Sequence, residues 1–228
     1  MTTLTVLLCA LFASLGRWQW HRGFEKQALW SAFERGTEAA RPLGSTAPGE
    51  LPRFTRIAIA GHYDVEHQFL LDNRTHDGRA GYEALTPFTL ENGRVLLVDR
   101  GWLPFTGFRD RPPDLRFAAA DTLSITGRLD ELPSRGLASG HAAPPHDTTW
   151  PKLTSYPTHE ELGAALGRAI EKRIVLLDRE APFGYVREWR PPGLPPERHL
   201  FYAVQWWVFA AMLLGLYGFL NVRRISRG

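Results

Sequence analysis

At 228 residues the chain has room for one or two compact domains. Its 44% hydrophobic and 22% charged residues exclude wholesale disorder, and a net charge of +3 with no basic stripe in the body excludes nucleic acid as a partner. A single cysteine, Cys9, excludes a disulfide framework, a thiolate zinc or iron–sulfur site and c-type haem attachment within one chain.

In chain order, the first segment is apolar over residues 4–15, too short alone to cross a bilayer. Extended from Met1 through Trp18 and Trp20, with Arg17 snorkelling to the interface, it predicts a first transmembrane helix over 1–20. A signal peptide is the rival reading. The missing basic n-region, and the cations Arg17, Arg22 and Lys26 that follow at once, favour a retained anchor. Residues 21–52 read as a helix over 24–39 and a linker over 41–52, rich in Pro, Gly, Ser and Ala.

Alternating, β-branched runs bounded by turns then predict strands over 56–63, 68–74, 81–90, 94–101, 122–129 and 174–178. Glu91-Asn92-Gly93 is the strongest hairpin signal, and His76-Asp77-Gly78 marks another turn. Thr158 caps a predicted helix over 158–168, with Glu161 three residues on. Pro/Gly-rich coil fills 133–151 and 191–196. The expectation over 53–190 is an α+β domain outside the cytoplasm, built on a small antiparallel β-sheet or barrel with one or two helices.

The other end is more explicit. Residues 201–220 run without a charge, Tyr202, Trp206 and Trp207 crowd the first third, and Arg223, Arg224 and Arg227 follow. Twenty helical residues span ~30 Å, the thickness of a bilayer core. This predicts a second transmembrane helix over 199–221, its basic tail in the cytoplasm and the central domain on the other side. Both termini are then cytoplasmic, although Arg17, Arg22 and Lys26 on the outer side oppose that rule.

Catalytic signatures are weak. His62 with His67, or His141 with His146, suggest at most a two-histidine metal site. Asp72-Asn73-Arg74 and Asp99-Arg100-Gly101 end two strands, where paired carboxylates could do acid–base work or simply join a structural Asp–Arg network.

Four blocks together carry a resemblance. Leu15-Gly16-Arg17-Trp18-Gln19 with Arg22 and Lys26, the run Leu71-Asp72-Asn73-Arg74 with Gly61, Gly78, Gly81-Tyr82 and Thr86-Pro87, then Val98-Asp99-Arg100-Gly101-Trp102, then His199-Leu200-Phe201-Tyr202-Ala203-Val204-Gln205-Trp206 occur in that order. They resemble the signatures of the surfeit locus protein one family, membrane-bound assembly factors of cytochrome c oxidase. Arg198 departs from the asparagine often found before the histidine. The resemblance implies a non-enzymatic role in maturing the oxidase's catalytic subunit in the bacterial inner membrane, alongside other assembly factors. It also implies haem a as the cargo, with His199 as the iron ligand.

Helical spacing of i, i+3, i+7 puts His199, Tyr202 and Trp206 on one face at the outer interface. On this reading His199 ligates haem iron, Tyr202, Trp206 and Trp18 wall the porphyrin, and Arg17, Arg22 or Arg198 pair with the propionates. Three alternatives stay open: an ordinary interfacial anchor, a haem-free scaffold whose Gln205, Ala203, Ala210 and Ala211 touch partner helices, and a membrane-anchored hydrolase using Asp72 or Asp99.

Overall fold

The computed structural model describes residues 2–36, 39–118, 121–134 and 140–225, with side chains through Val222. Of the predicted basic tail, the side chains of Arg223 and Arg224 and the whole of Arg227 lie outside the described residues, as do 37–38 of the helix predicted to end at 39 and 135–139 of the predicted coil. The chain divides into two compact units, Met1–Arg35 with Arg190–Gly228, and Gly36–Trp189.

The first unit is a pair of long helices, α1 (Thr2–Arg35) and α3 (Pro196–Ile225). The predicted span over 1–20 and the helix predicted from 24 are one continuous α1, because nothing between them breaks a helix. No glycine–proline punctuation intervenes, and Gly23 alone costs only about 1 kcal/mol against Ala. The helix stops at Arg35, before Gly36 and short of the predicted end.

Among the described residues only α3 is long and apolar enough to cross a membrane, over Pro196–Val222, with a mean hydropathy of 1.6 in its most apolar window. Arg17, Gln19, His21 and Arg22 keep α1 below that mark. Phe201, Met212, Leu216 and Leu220 are all more than half exposed on α3. Eight large apolar side chains on α3 are exposed to that degree, and at roughly 1 kcal/mol for each moved into hydrocarbon they favour lipid over water by on the order of 10 kcal/mol. That surface fits a membrane span.

The second unit holds β1 (Arg41–Pro42), β2 (Arg56–Tyr63), β3 (Phe69–His76), β4 (Arg79–Leu90), β5 (Val95–Pro104), β6 (Leu123–Asp130), β7 (Lys152–Thr154), α2 (His159–Leu166) and β8 (Ile174–Leu177). Strands β2–β6–β8–β5–β4 are hydrogen-bonded in that order, and β4 pairs back onto β2, so these five close a barrel. The expected β4–β5 hairpin forms around Glu91-Asn92-Gly93, with Gly93 at φ +81°, and the expected capping box of α2 forms between Thr158 and Glu161.

Three details differ from the sequence expectation. The sheet is not purely antiparallel, since β8 runs parallel to β5. The stretch over 41–52 is not a plain linker; β1 adds to β2 in parallel and a 3-10 turn follows at Pro48–Glu50. Strand β7 pairs in parallel with β3, its three residues being too short to show a period.

Strand β5 is buried on both faces, as a strand with a core on either side must be. Leu96 and Val98 alternate into the barrel with Ile57, Ile59, Phe88, Ile125, Val175 and Leu177. Leu97 points the other way, packing with Phe69, Leu85 and the α2 residue Leu162. Barrel closure depends on Gly61, which pairs with Leu90 of β4 and Leu123 of β6 at once. A Cβ there would lie 2.1 Å from the Thr89 carbonyl oxygen, so only glycine allows the two backbones this close.

Candidate functional site

The two helices of the first unit meet along a seam that both sequences encode. On α1 the less exposed residues Thr5, Cys9, Phe12, Gly16, Gln19, Gly23 and Lys26 recur at alternating spacings of four and three. On α3 the same alternation runs through Pro196, His199, Ala203, Trp206, Ala210, Leu213 and Tyr217. A 3.5-residue period on both partners is the signature of knobs-into-holes packing. The helices are antiparallel: Thr2 Oγ1 lies 2.8 Å from the Tyr217 hydroxyl, the Cys9 thiol donates to the Ala210 carbonyl at 3.9 Å, and Phe12 stacks on Trp206 with centroids 5.6 Å apart. At the far end Lys26 Nζ donates to the Pro192 carbonyl at 2.9 Å.

Small residues set how close the helices come. A Cβ on Gly16 would sit 2.3 Å from Trp207 Nε1, one on Gly23 would sit 2.7 Å from Leu200 Cδ2, and Ala203 is fully buried. Between the two glycines, Gln19 reaches across. Its side-chain oxygen accepts from His199 Nδ1–H at 2.8 Å. Nε2 of His199 makes no hydrogen bond among the described residues, and it is not one of the buried polar atoms left without a partner. The imidazole is thus fixed at one nitrogen and open at the other.

The predicted site residues divide. His199 and Trp206 share the seam, as the spacing required. Tyr202 lies one position off it, on a flank and 36% exposed, its ring edge-on to Phe201 at 6.2 Å. Trp18 is 52% exposed and falls outside the seam positions of α1, as does the exposed Arg17. Arg22 is exposed and already paired, donating to Glu25 at 2.8 Å. Arg198 is exposed in the first turn of α3, where its backbone N–H bonds the Pro195 carbonyl.

Sequence reading passed over Gln19, Gly16 and Gly23 as functional residues, and also the tilted Trp20–Trp207 pair, 5.5 Å between centroids. The seven-residue period on α1 was the available signal. Ala203 and Ala210, which the scaffold alternative offered to partner helices, lie on the seam with α1.

The strand-end carboxylates do not come together, since β4 lies between their strands. Asp72 accepts from Arg109 Nε at 2.9 Å. Arg74 pairs with Glu83 at 2.6 Å. Asp99 is 2% exposed and accepts the Gly101 N–H at 3.0 Å; burial, and then the nearby Glu83, hold its carboxyl well above the usual carboxylate range.

Its neighbour Arg100 is buried, with no carboxylate among its hydrogen-bond partners in the described residues. The guanidinium donates to Thr86 Oγ1, Gln68 Oε1 and the Leu115 and Phe183 carbonyls, and lies over the rings of Phe117 and Tyr185. This is a cation satisfied entirely by neutral groups. Of the histidine pairs, His67 turns to Asp64 and His141 to Glu161. No cluster of three metal-ligating side chains exists among the described residues.

Comparison with known proteins matches a sequence model of the SURF1 family to residues 6–211. A SURF1-like protein of Monosiga brevicollis is 26% identical over 233 aligned residues, covering 91% of this chain and 82% of that one. An uncharacterized SURF1-like protein of Mycobacterium bovis is 28% identical over 188, covering 80% of this chain and 66% of its own length. A Mycobacterium tuberculosis counterpart aligns with the same identity and coverage.

Proposed function

The chain belongs to the SURF1 family, and from that premise we propose that it is a membrane-bound assembly factor for cytochrome c oxidase that holds haem a at His199 and assists its insertion into the oxidase's catalytic subunit. The observation that carries this is the meeting of two family blocks 180 residues apart, Gln19 of the first with His199 of the last. The residues present fit the group. A haem ligand needs one imidazole nitrogen anchored and the other free, which is the state of His199. Exposed aromatic faces at Trp18 and Tyr202 and exposed cations at Arg17 and Arg198 would supply apolar contacts and partners for anionic propionates within the same unit. When bound, haem a supplies the redox centre that the oxidase requires; this chain binds, orients and releases it. Trp206, stacked on Phe12, supports the ligand from within the seam.

The same register supports placing both helices in the plasma membrane. Residues 2–16 of α1 run beside 203–217 of α3, so the apolar half of the first helix lies along the apolar span of the second. Arg17 and Arg22 then fall level with His199, at the outer interface where propionates would lie. That gives the cations opposing the positive-inside rule a use. On this reading both termini are cytoplasmic and the barrel unit extracytoplasmic.

A haem-free scaffold is the second reading, and one observation favours it. Val204, Val208, Ala211, Gly215, Gly218 and Val222 recur at four-three spacing on the side of α3 away from α1, all exposed. Small and β-branched residues there suit a partner's transmembrane helices, such as those of the nascent oxidase subunit.

The absorption spectrum of the detergent-purified protein, made in cells that synthesise haem a, separates the two. A Soret band near one equivalent per chain, lost in His199→Ala, is expected. No band, with oxidase still failing in a deletion strain, leaves the scaffold; normal oxidase in that strain removes both.

A further inference from the structure

We infer that Gln19 is the positioning residue of this site: it holds His199 as the Nδ1–H tautomer and so makes Nε2 the atom that takes iron. This rests on the haem-holding reading and adds the group that prepares the ligand.

The argument begins with the inventory of the two side chains. A neutral imidazole carries one N–H, and an amide oxygen only accepts. With Gln19 Oε1 at 2.8 Å from Nδ1, the proton must be on Nδ1, and the one lone pair left on the ring is at Nε2. That nitrogen makes no bond among the described residues. Free imidazole in water divides between two tautomers and rotates, so fixing both proton and ring plane removes two losses from each binding event.

The position of Gln19 is itself built. Gly16 and Gly23 stand three residues before and four residues after it on the same stripe, and both lack a side chain where α3 passes. They bring the helix axes near enough for one glutamine side chain to span the gap. A shorter asparagine would fall short by one methylene. A carboxylate would accept the same proton but place a charge beside the apolar span, costly at that depth. It would also push electron density onto the iron and tighten the bond. A neutral acceptor suits a ligand that must later let go.

Three measurements test this on the full-length protein in detergent. First, nitrogen NMR of histidine-labelled, haem-free protein, with the His199 signal identified by its loss in His199→Ala, should show a protonated Nδ1 and a bare Nε2. An Nε2–H tautomer there overturns the inference without any need for a glutamine variant. Second, Gln19→Leu should move His199 to a tautomer mixture and weaken haem a binding by about 10–100-fold. Third, Gln19→Glu should keep the tautomer and bind haem a more tightly, with a lower midpoint potential and a higher iron–histidine stretching frequency. If His199→Ala abolishes haem binding while both Gln19 variants leave tautomer, affinity and potential unchanged, the carrier reading stands and the role given to Gln19 falls. Wild-type protein that takes up no haem brings down both.

Discussion

Gly16 packs against Trp207 so closely that the first β-carbon added would overlap the indole, 2.3 Å from Nε1 and 2.5 Å from Cδ1. The glycine belongs to the first family block and the tryptophan follows directly on the last, so the distance between the helices is written at both ends of the chain. Gln19 and His199 can share a proton only because that distance is short.

Gly16→Leu should therefore open the helix pair. Overpacking of a closed seam costs about 1–3 kcal/mol, and rotation of Trp207 would also disturb its contact with Trp20. Thermal unfolding in detergent, followed by tryptophan fluorescence, should show a lower midpoint. Gly215→Leu is the control, since nothing lies within 4 Å of a β-carbon there. Equal effects of the two would mean that the seam does not govern stability.

Gly61→Glu should be far more damaging than a typical surface change. Its β-carbon would meet the Thr89 carbonyl, which is backbone and cannot swing aside, and Phe88 behind it at 2.9 Å. A cost of roughly 3 kcal/mol or more is expected from lost packing and a desolvated charge. Limited proteolysis and circular dichroism of the purified variant should show an opened barrel; wild-type resistance would mean that the close approach is not needed for closure.

Asp99 predicts a pH dependence with a definite sign. Its carboxyl is raised in the fold by burial and by Glu83, so the neutral form is the one that folding favours. The contribution is fully present below the unfolded value of about 4 and is lost as pH rises through the raised folded value. Asp99→Asn keeps an acceptor for the Gly101 N–H and cannot ionise. Urea midpoints measured from pH 4 to pH 9 should separate progressively in favour of the variant, and then run parallel. A constant offset across that range would show that Asp99 titrates alike in both states.

Topology follows from the membrane reading. In a Cys9→Ser background, a cysteine at the exposed Thr106 should react with a membrane-impermeant reagent added outside intact cells. One placed at Ser226, beyond the described residues, should react only after lysis. The opposite pattern would reverse the orientation.

Some of this architecture is local, and so was legible in the chain. The charge-free run of α3, the Asn92-Gly93 turn and the Thr158–Glu161 box each depend on neighbours within a few residues, and each forms where its signal stands. Strand β5 read clearly because a short apolar run that follows a hairpin turn is a property of one strand. The family blocks likewise singled out His199, Gly61 and Asp99-Arg100 before any contact was known.

What composition and spacing could not determine is pairing across long separations. Closing the barrel requires β4 to return to β2, and β8 to enter parallel to β5 from some seventy residues away. Neither leaves a mark in either strand alone. The fate of each charge was equally nonlocal: Asp72 went to Arg109, Arg74 to Glu83, and Arg100 to neutral oxygens and two rings. An ion finds its partner through the fold, because the cost of burying it is met only by groups that tertiary packing brings near. So the sequence by itself determined the long helices, the six main strands and the membrane-like run, and it singled out His199. Only the tertiary structure decided that Gln19 faces that histidine, since a hydrogen bond spanning 180 residues exists only once two helices have packed.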